Sequence, residues 1–353
     1  MIAIFYHRDF FDMPQKPYDY LIFIGRFQPF HLGHQAVMRT ALESAEKVMI
    51  LVGSSYQPRL VRNPWSFDER QQFIRQSFFK TESERVIIAA LIDLYNDDNW
   101  VSQVEAVVNT HVSETSARIG LIGHSKDHSS YYLSLFPQWG AIDVASHAFI
   151  SASPLRDHYF SQSEVPEGLP DAVSSSLQAY LKTDAYCYLK SEYDFLCKYK
   201  KAWESAPYPP IFVTVDAVVL QNNHVLLIER AGHPGKGLFA LPGGFVDEHE
   251  RLKDAVIREL HEETQINLSK GVLETKICSS AVFDSPYRSA RGRTISHAYL
   301  FVLDDTDNFV EVLGADDAKC AFWLPIDALE AERMFEDHRH IVQTLVRQIN
   351  NDF

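Results

Sequence analysis

Glu259, Glu262 and Glu263 fall within five positions of the stretch RELHEETQI, residues 258–266. Their i, i+3, i+4 spacing stacks the carboxylates on one face of a helix, a turn apart. Each like-charge pair costs a helix about 0.2–0.5 kcal/mol, so the cluster opposes the helix that carries it. Within the cluster only Arg258 is basic, whereas a solvated face usually intersperses lysines with its glutamates. A hard divalent cation such as Mg²⁺ takes carboxylate oxygens and would offset the repulsion. An exposed acidic face is the ordinary alternative. A second stretch with chemical potential is GRFQPFHLGH, residues 25–34, with His31 and His34 on either side of Gly33. Imidazoles donate hydrogen bonds and can carry charge, which suits a phosphate group. Two loop histidines, one of them serving packing, is the bland reading.

The surrounding elements weigh on both stretches. YLIFIG and KVMILVG read as buried strands flanking the amphipathic HQAVMRTALESA, a βαβ unit. RVIIAALID and ARIGLIGH look like two further parallel strands, with VSQVEAVVNTHV as a helix between them. This alternation predicts an α/β fold with a doubly wound parallel sheet, in which ligands bind where strands end and helices begin. GRFQPFHLGH occupies such a place. Gly25 permits a tight turn close to a ligand, and the helix start near Gly33 offers unpaired N–H groups and a positive dipole end. Further on, Pro207, Pro209 and Pro210 in APYPP interrupt a helical segment and mark a stiff junction. Beyond it the pattern changes to a hairpin (IFVTVDAVVL, QNNH, VLLIER), then LFALPGGFV, a helix, the strands LETKICSSAVF and TISHAYLFVL, and a last helix near HIVQTLVRQI. That is an α+β domain with a mixed sheet. Leu252, Ala255, Val256 and Leu260 form the apolar face of its acidic helix. The expected boundaries are an extension at 1–17, an α/β domain at 18–185, a helical and proline-rich segment at 186–210, and the α+β domain at 211–353.

Composition excludes some function classes. The 353 residues are 46% hydrophobic and 23% charged, an ordinary globular balance that suggests two domains. A net charge of -14 argues against a surface for nucleic acid, but not against small phosphorylated ligands held by a few local groups. No apolar run approaches the roughly 20 residues of a membrane helix, and MIAIFYHRDF lacks the basic start of a leader peptide. The four cysteines form no CxxC pair, as expected of reduced thiols in a cytoplasmic protein.

The stretch from Gly25 through Arg26, Phe27, His31 and Gly33 to His34 resembles the (H/T)xGH nucleotidyltransferases. More narrowly, it is similar to the archaeal-type nicotinamide mononucleotide (NMN) adenylyltransferases. ISASPLR, residues 150–156, resembles their ISxTxxR segment, with Ser153 in place of threonine. GSS at 53–55, NPWSFDER at 63–70 and YNDDNWV at 95–101 are similar to further segments of that family. The resemblance implies transfer of an adenylyl group from ATP to NMN, giving NAD and pyrophosphate. It gives His31, His34 and Arg156 the catalytic roles. It implies ATP or NMN binding by Gly25, Arg26, Phe27, Gly33, Gly53, Ser54, Ser151 and Ser153, and stacking of Trp100 on the nicotinamide ring. The alternatives are core packing for Trp100 and a surface ion pair for Arg156.

In the second half, Gly244, Glu250, Arg258, Glu259, Leu260, Glu262, Glu263 and Ile266 match the pattern G-x5-E-x7-R-E-U-x-E-E-x-G-U. This resembles the box of the Nudix hydrolases. Gln265 departs from it, standing where the family has glycine. The resemblance implies Mg²⁺, or Mn²⁺, held by Glu259, Glu262 and Glu263, with Glu259 and Glu262 catalytic. Glu250 either assists the metal or orients Arg258. FDSPYRSARGRTISHAY, residues 283–299, and GADDAKCAFW, residues 314–323, resemble segments of Nudix proteins that take ADP-ribose. Gly243, Gly244, Tyr287, Arg288, Arg291 and Arg293 would bind that substrate, which is split to AMP and ribose 5-phosphate. Taken together, the two halves resemble the bacterial bifunctional NMN adenylyltransferase/Nudix hydrolase family. Its partners would be the small molecules ATP, NMN and ADP-ribose, with no nucleic acid and no membrane, and a homo-oligomer is compatible. The alternatives for the second half are NADH or a dinucleotide polyphosphate as substrate, or a sensing module that binds ADP-ribose without hydrolysis. Gln265 should lie at the helix end, away from any metal; either it takes, at a modest strain, the left-handed conformation that glycine normally fills, or the helix exit differs.

Overall fold

The structure, a computed structural model, describes residues 16–114, 116–123, 134–144 and 150–351. Most of the expected extension at 1–17 lies outside the described residues. The chain divides into two compact units. The first runs to Ser55 and includes Phe67–Leu155 and Pro166–Ser176; the second includes Tyr56–Ser66, Arg156–Val165 and everything from Leu177.

Five parallel strands organise the first unit: β1 (Tyr18–Gly25), β2 (Ala45–Val52), β3 (Val86–Ala90), β4 (Ile119–Gly123) and β5 (Gly140–Asp143). They are ordered β3-β2-β1-β4-β5, with every pairing parallel. This is the doubly wound sheet expected from the strand–helix alternation. After their first residues the central strands run apolar, as parallel strands buried on both faces do; Leu21, Ile22, Val48, Met49 and Ile50 are fully buried. The helices are α1 (Leu32–Ser44), α2 (Phe67–Gln76), the single turn α3 (Lys80–Ser83), α4 (Asp97–His111), α5 (Ala152–Gln162) and α6 (Asp171–Tyr180). The strand order reverses on either side of β1, so the loop after β1 opens at the switch point where such sheets hold ligands.

The second unit takes in most of α5, from Arg156, and the end of α6, from Leu177, and then α7 (Asp184–Lys201), capped at Thr183. β6 (Ile211–Gln221) and β7 (His224–Arg230) form the expected hairpin. Its two-residue turn, Asn222 and Asn223, has φ of 48° and 59°, the double left-handed turn that asparagine tolerates. The hairpin strands then part. The two-residue β8 (Phe239–Ala240) pairs with β7, and β9 (Gly243–Phe245) pairs with β6. α8 (Leu252–Thr264) follows, then α9 (Lys270–Lys276), β10 (Ile277–Phe283), β11 (Arg293–Val302), β12 (Ala318–Pro325) and α10 (His338–Asn351). β11 lies parallel to β6 while the other pairings are antiparallel, giving the expected mixed sheet. One element differs from expectation. LETKICSSAVF is not a single strand, because Leu273–Lys276 complete α9 and only Ile277 onward is extended. Leu273 is buried there, so a tertiary contact overrides the strand-like run.

The α8 face reads as expected. Ala255, Val256 and Leu260 are buried against Val215, Ala217 and Val219 of β6, with Leu252 partly buried beside them. No helix among the described residues is long and apolar enough to cross a membrane. All four cysteines are free thiols.

Candidate active site

The first unit builds its candidate site around the start of α1. His31 is the N-cap residue, and the two histidines cap the helix reciprocally. The His34 N–H donates to His31 Nδ1 and the His31 N–H to His34 Nδ1, both at 3.3 Å. A neutral imidazole that accepts at Nδ1 carries its proton on Nε2. Both neutral rings therefore carry their proton on Nε2, and they stack 3.6 Å apart. Gly33 makes this possible, since a Cβ there would lie 3.1 Å from Cε1 and Nδ1 of His31. Beneath the pair, Phe27 is 1% exposed and meets the His34 ring edge-on at 4.9 Å. Phe27 adopts φ 52°, and a Cβ on Gly25 would lie 2.9 Å from its ring. The Phe27 ring is thus a buried support for His34.

A residue not singled out in the sequence ties this loop to its neighbour. Arg70 on α2 is 1% exposed. It donates to the carbonyls of Arg26 and Gly53 at 2.7 Å each and of Ser54 at 3.1 Å. Burial lowers its pKa to about 10, which leaves it charged at neutral pH. The Gly53 N–H donates in turn to Gly25 O at 2.8 Å. Ser54 is buried with φ 48°, and its hydroxyl donates to Asp93. That hydroxyl is therefore engaged within the protein. Trp100, on the first turn of α4, packs partly buried beside Phe136, 5.9 Å between ring centroids. Ser151 and Ser153 are exposed at the start of α5, while Arg156, a turn further along that helix, is buried.

In the second unit, the parting of β6 and β7 sets Gly243 and Gly244 on β9 against α8. A Cβ on Gly244 would lie 2.5 Å from Glu259 Oε1, and one on Gly243 would lie 2.2 Å from Val215 O. The Gly243 N–H donates to Glu263 Oε2 at 2.9 Å. Arg258 stands at the centre of the acidic cluster. Its Nε and Nη2 donate to the two oxygens of Glu250 at 3.0 and 2.9 Å. Its Nη1 donates to Glu259 at 2.9 Å and Glu262 at 2.8 Å, and Nη2 reaches Phe245 O at 3.2 Å. Both oxygens of Glu250 accept from Arg258, the geometry that an orienting role would use. Burial raises the pKa of Glu259, and that of Glu263 to about 8. Among the described residues no three carboxylate, imidazole or thiol groups are arranged to hold a metal ion. Even so, the carboxylates of Glu259, Glu262 and Glu263 form an all-oxygen donor set, which suits a hard divalent cation and not a soft one.

Of the two endings open to α8, the structure has the left-handed one. Gln265 is the C-cap, left-handed at φ 44° and ψ 34°, with its N–H donating to His261 O. Its side chain faces a shallow cavity with Asn267, Glu311 and Leu313, which contains none of the box glutamates.

The expected substrate arginines separate. Arg291 lies over the Phe245 ring at 4.9 Å. Arg293 is part-exposed and donates to Asp284 O. Tyr287 is exposed, 5.8 Å from the Arg62 guanidinium. Arg288 departs from expectation. It is buried and donates from Nε and Nη2 to both oxygens of Asp337 at 2.8 Å, with Asp216 at 3.9 Å. Its fork is satisfied inside the protein, so its place is structural. Arg230 was missed by sequence reasoning. It is mostly buried, with Glu263, Asp317 and Glu336 as its acidic neighbours and its guanidinium 4.3 Å over the Phe335 ring. As the last residue of a strand, it gave no motif signal.

Two family models match in tandem: a cytidylyltransferase-like domain over residues 22–158 and a NUDIX domain over residues 210–345. The fold and both sites thus define a nucleotidyltransferase joined to a Nudix protein. The nicotinamide/nicotinic acid mononucleotide adenylyltransferase of Acinetobacter baylyi is 38% identical over 177 residues, covering 50% of this chain and 94% of that protein. The ADP-ribose pyrophosphatase of Methanocaldococcus jannaschii is 37% identical over 138 residues, covering 39% of this chain and 75% of that protein. A bifunctional NMN adenylyltransferase/ADP ribose pyrophosphatase from Francisella tularensis, solved with AMP and a manganese ion, superposes with a TM-score of 0.89. It is 37% identical over 94% of this chain and 99% of its own. The chain belongs to the family of bifunctional NMN adenylyltransferase/ADP-ribose pyrophosphatases.

Proposed function

We propose that the two units catalyse separate steps of nicotinamide dinucleotide chemistry. The first joins NMN to ATP. A phosphate oxygen of NMN bonds to the α-phosphorus of ATP, the bond to the β-phosphate breaks, and NAD and pyrophosphate leave. The observation that carries this reading is the reciprocal histidine cap, which fixes both imidazoles at the N-terminus of α1, just after the switch-point strand β1. His31 and His34 would donate to phosphate oxygens as charge gathers there. Arg156, Ser151 and Ser153 would hold the triphosphate, and Trp100 would lie against the nicotinamide. The protein supplies no nucleophile; fixing two substrates in register can contribute about 7–11 kcal/mol.

The second unit hydrolyses ADP-ribose to AMP and ribose 5-phosphate. Water adds to one phosphorus and the bridging P–O bond breaks. Glu259, Glu262 and Glu263 would hold Mg²⁺ or Mn²⁺, which neutralises diphosphate charge and acidifies water. Arg258 keeps Glu259 and Glu262 in place, and Glu250 keeps Arg258 in place. The intact carboxylate set favours hydrolysis over a sensing role. Incubating the protein with Mg²⁺ and, separately, NMN plus ATP, ADP-ribose and NADH, then resolving the products by chromatography, tests both halves. His31→Ala should lose NAD formation and keep hydrolysis, and Glu262→Gln should do the reverse. Joint loss in a folded variant would refute two independent sites.

A further inference from the structure

Helix α7 lies between the residues matched by the two family models, so neither match gives it a role. Tyr188, Glu192 and Phe195 fall at i, i+4 and i+7, which sets them on one face of the helix. That face grips the loop 231–238, which joins β7 to β8 in the same unit. Glu192 is 1% exposed. Its Oε2 accepts the Gly235 N–H at 2.9 Å, and its Oε1 accepts the Val61 N–H at 3.0 Å. Both oxygens are engaged, which fixes the carboxylate and offsets the cost of burying it. One residue along the loop, the Lys236 carbonyl accepts from the Tyr188 hydroxyl at 2.9 Å. The Tyr188 and Phe195 rings lie against the His233 ring, 5.3 and 6.3 Å between centroids.

The gripped loop is what holds Arg230. Among the described residues, its guanidinium makes a single hydrogen bond, from Nε to Pro234 O at 2.8 Å. Backbone bonds from the Gly237 N–H to Arg230 O and from the Arg230 N–H to Leu238 O, at 2.8 and 2.9 Å, close the loop around it. Gly235 presses on the Phe335 ring, since at φ 75° a Cβ there would lie 2.3 Å from it. The same ring lies 4.3 Å beneath the Arg230 guanidinium. Arg230 in turn has Glu263 among its acidic neighbours. A continuous path thus leads from a buried carboxylate outside the Nudix match to one in the acidic cluster, through Gly235, Pro234 and Arg230.

We propose that Glu192 is a positioning residue for the Nudix metal site: it holds the loop 231–238 in the shape that sets Arg230 beside Glu263, and Arg230 keeps that carboxylate in place for a divalent cation. The inference rests on the metal-dependent hydrolytic reading above. Glu192 touches neither substrate nor metal and acts through Arg230. Outer groups that orient a ligating carboxylate commonly govern metal affinity. A glutamine at 192 keeps the volume, but its amide offers one acceptor oxygen and turns an NH₂ toward the second N–H. One of the two loops is then released.

The test uses the full chain and calorimetric titration with Mn²⁺ alone, followed by the Mg²⁺ dependence of ADP-ribose hydrolysis. In Glu192→Gln, the Mn²⁺ dissociation constant and the Mg²⁺ needed for half-saturation should each rise about tenfold. The KM for ADP-ribose at saturating Mg²⁺ should hold. Tyr188→Phe, which loses only the Lys236 bond, should shift both metal curves the same way by about two- to fivefold. Arg230→Lys keeps the charge but loses the Pro234 bond, and adding Glu192→Gln to it should shift the metal curves little further. NAD formation in the same preparations serves as the control for folding. Unshifted metal curves in Glu192→Gln, alongside lost hydrolysis in Glu262→Gln, would overturn the positioning role and leave the hydrolytic reading standing. Shifts that multiply in the double variant would also overturn it, since Glu192 would then act elsewhere than through Arg230. So would an equal fall in both activities, the mark of a loosened fold. If wild-type protein does not hydrolyse ADP-ribose, the hydrolytic reading falls and the Mn²⁺ titration decides: affinity weakened alike in Glu192→Gln and Arg230→Lys supports the positioning role, and unchanged affinity overturns it.

Discussion

Gln265 carries a measurable strain. It holds φ 44° and ψ 34° at the end of α8, a conformation that costs an L-residue about 1–2 kcal/mol. Gln265→Gly removes that cost but gives the unfolded chain more freedom, a loss of about 0.5–1 kcal/mol. The balance lies between zero and a gain of about 1.5 kcal/mol, with a mid-range gain of about 0.75 kcal/mol. The backbone bond from residue 265 to His261 O survives the change. So do the bonds from Leu313 to Thr264 O and from Ala315 to Glu263 O, which fix the helix exit. For a domain of this size the melting temperature should rise by about 1–4 °C. Gln265→Ala separates the causes, because it keeps the left-handed strain and removes the side chain. Calorimetric melting of the three proteins should place the glycine variant highest. Hydrolysis should be unchanged in both variants, since residue 265 faces away from the glutamates. A glycine variant that melts at or below the alanine variant would refute the strain argument. A changed metal requirement in either would refute the placement.

Three further outcomes follow from particular contacts. Gly33→Ala puts a Cβ 3.1 Å from the His31 ring; the displaced imidazole should lower kcat/KM for NAD formation by about 10- to 100-fold, with ADP-ribose hydrolysis unaltered in the same preparation. Arg258→Lys keeps the charge but not the fork that spans Glu250, Glu259 and Glu262. Half-saturation by Mg²⁺ in the hydrolysis assay should then need about 10- to 100-fold more metal, and an unshifted metal curve would count against the holding role. His338, enclosed by Asp216, Asp337, Arg288, Arg230 and Arg291, accepts the Leu241 N–H and stays neutral because burial lowers its pKa from 6.5 to about 3. The unfolded chain takes up that proton below its ordinary value, so this part of the stability is full above about pH 6.5 and falls as the pH drops toward 3. Relative to His338→Gln, wild type should lose about 2 kcal/mol between pH 7 and 5, read by urea unfolding at each pH.

Much of both sites was readable because each is local in sequence. His31, Gly33 and His34 form one helix cap, and three neighbouring residues are enough to specify it. Glu259, Glu262 and Glu263 share a face by helical period alone. What the sequence concealed depends on contacts between distant segments. Arg70 reads as one more polar residue on an amphipathic helix, and its role exists only because the loops after β1 and β2 bring three carbonyls to it. Arg288 sits among three motif arginines, yet its partner Asp337 lies 49 residues away. The strand-like LETKICSSAVF misleads for a related reason, since Leu273 is drawn into the α8 core and takes its neighbours into a helix.

These cases share a physical rule about arginine. A buried guanidinium needs several acceptors, and it finds them where loops or carboxylates must be held for a ligand to use them. Arg70 holds the backbone beside the histidine cap, and Arg258 holds the carboxylates beside Gly244. Arg288 braces Asp337 at the start of α10. In each case the positive charge is already spent within the protein, which keeps it from attracting the phosphate that motif reading would give it. Arg291 differs, since its guanidinium rests on an aromatic face at the edge of an open cavity. The distinction that matters for an arginine near a phosphate site is therefore how many protein acceptors it already serves, and that depends on folding more than on spacing.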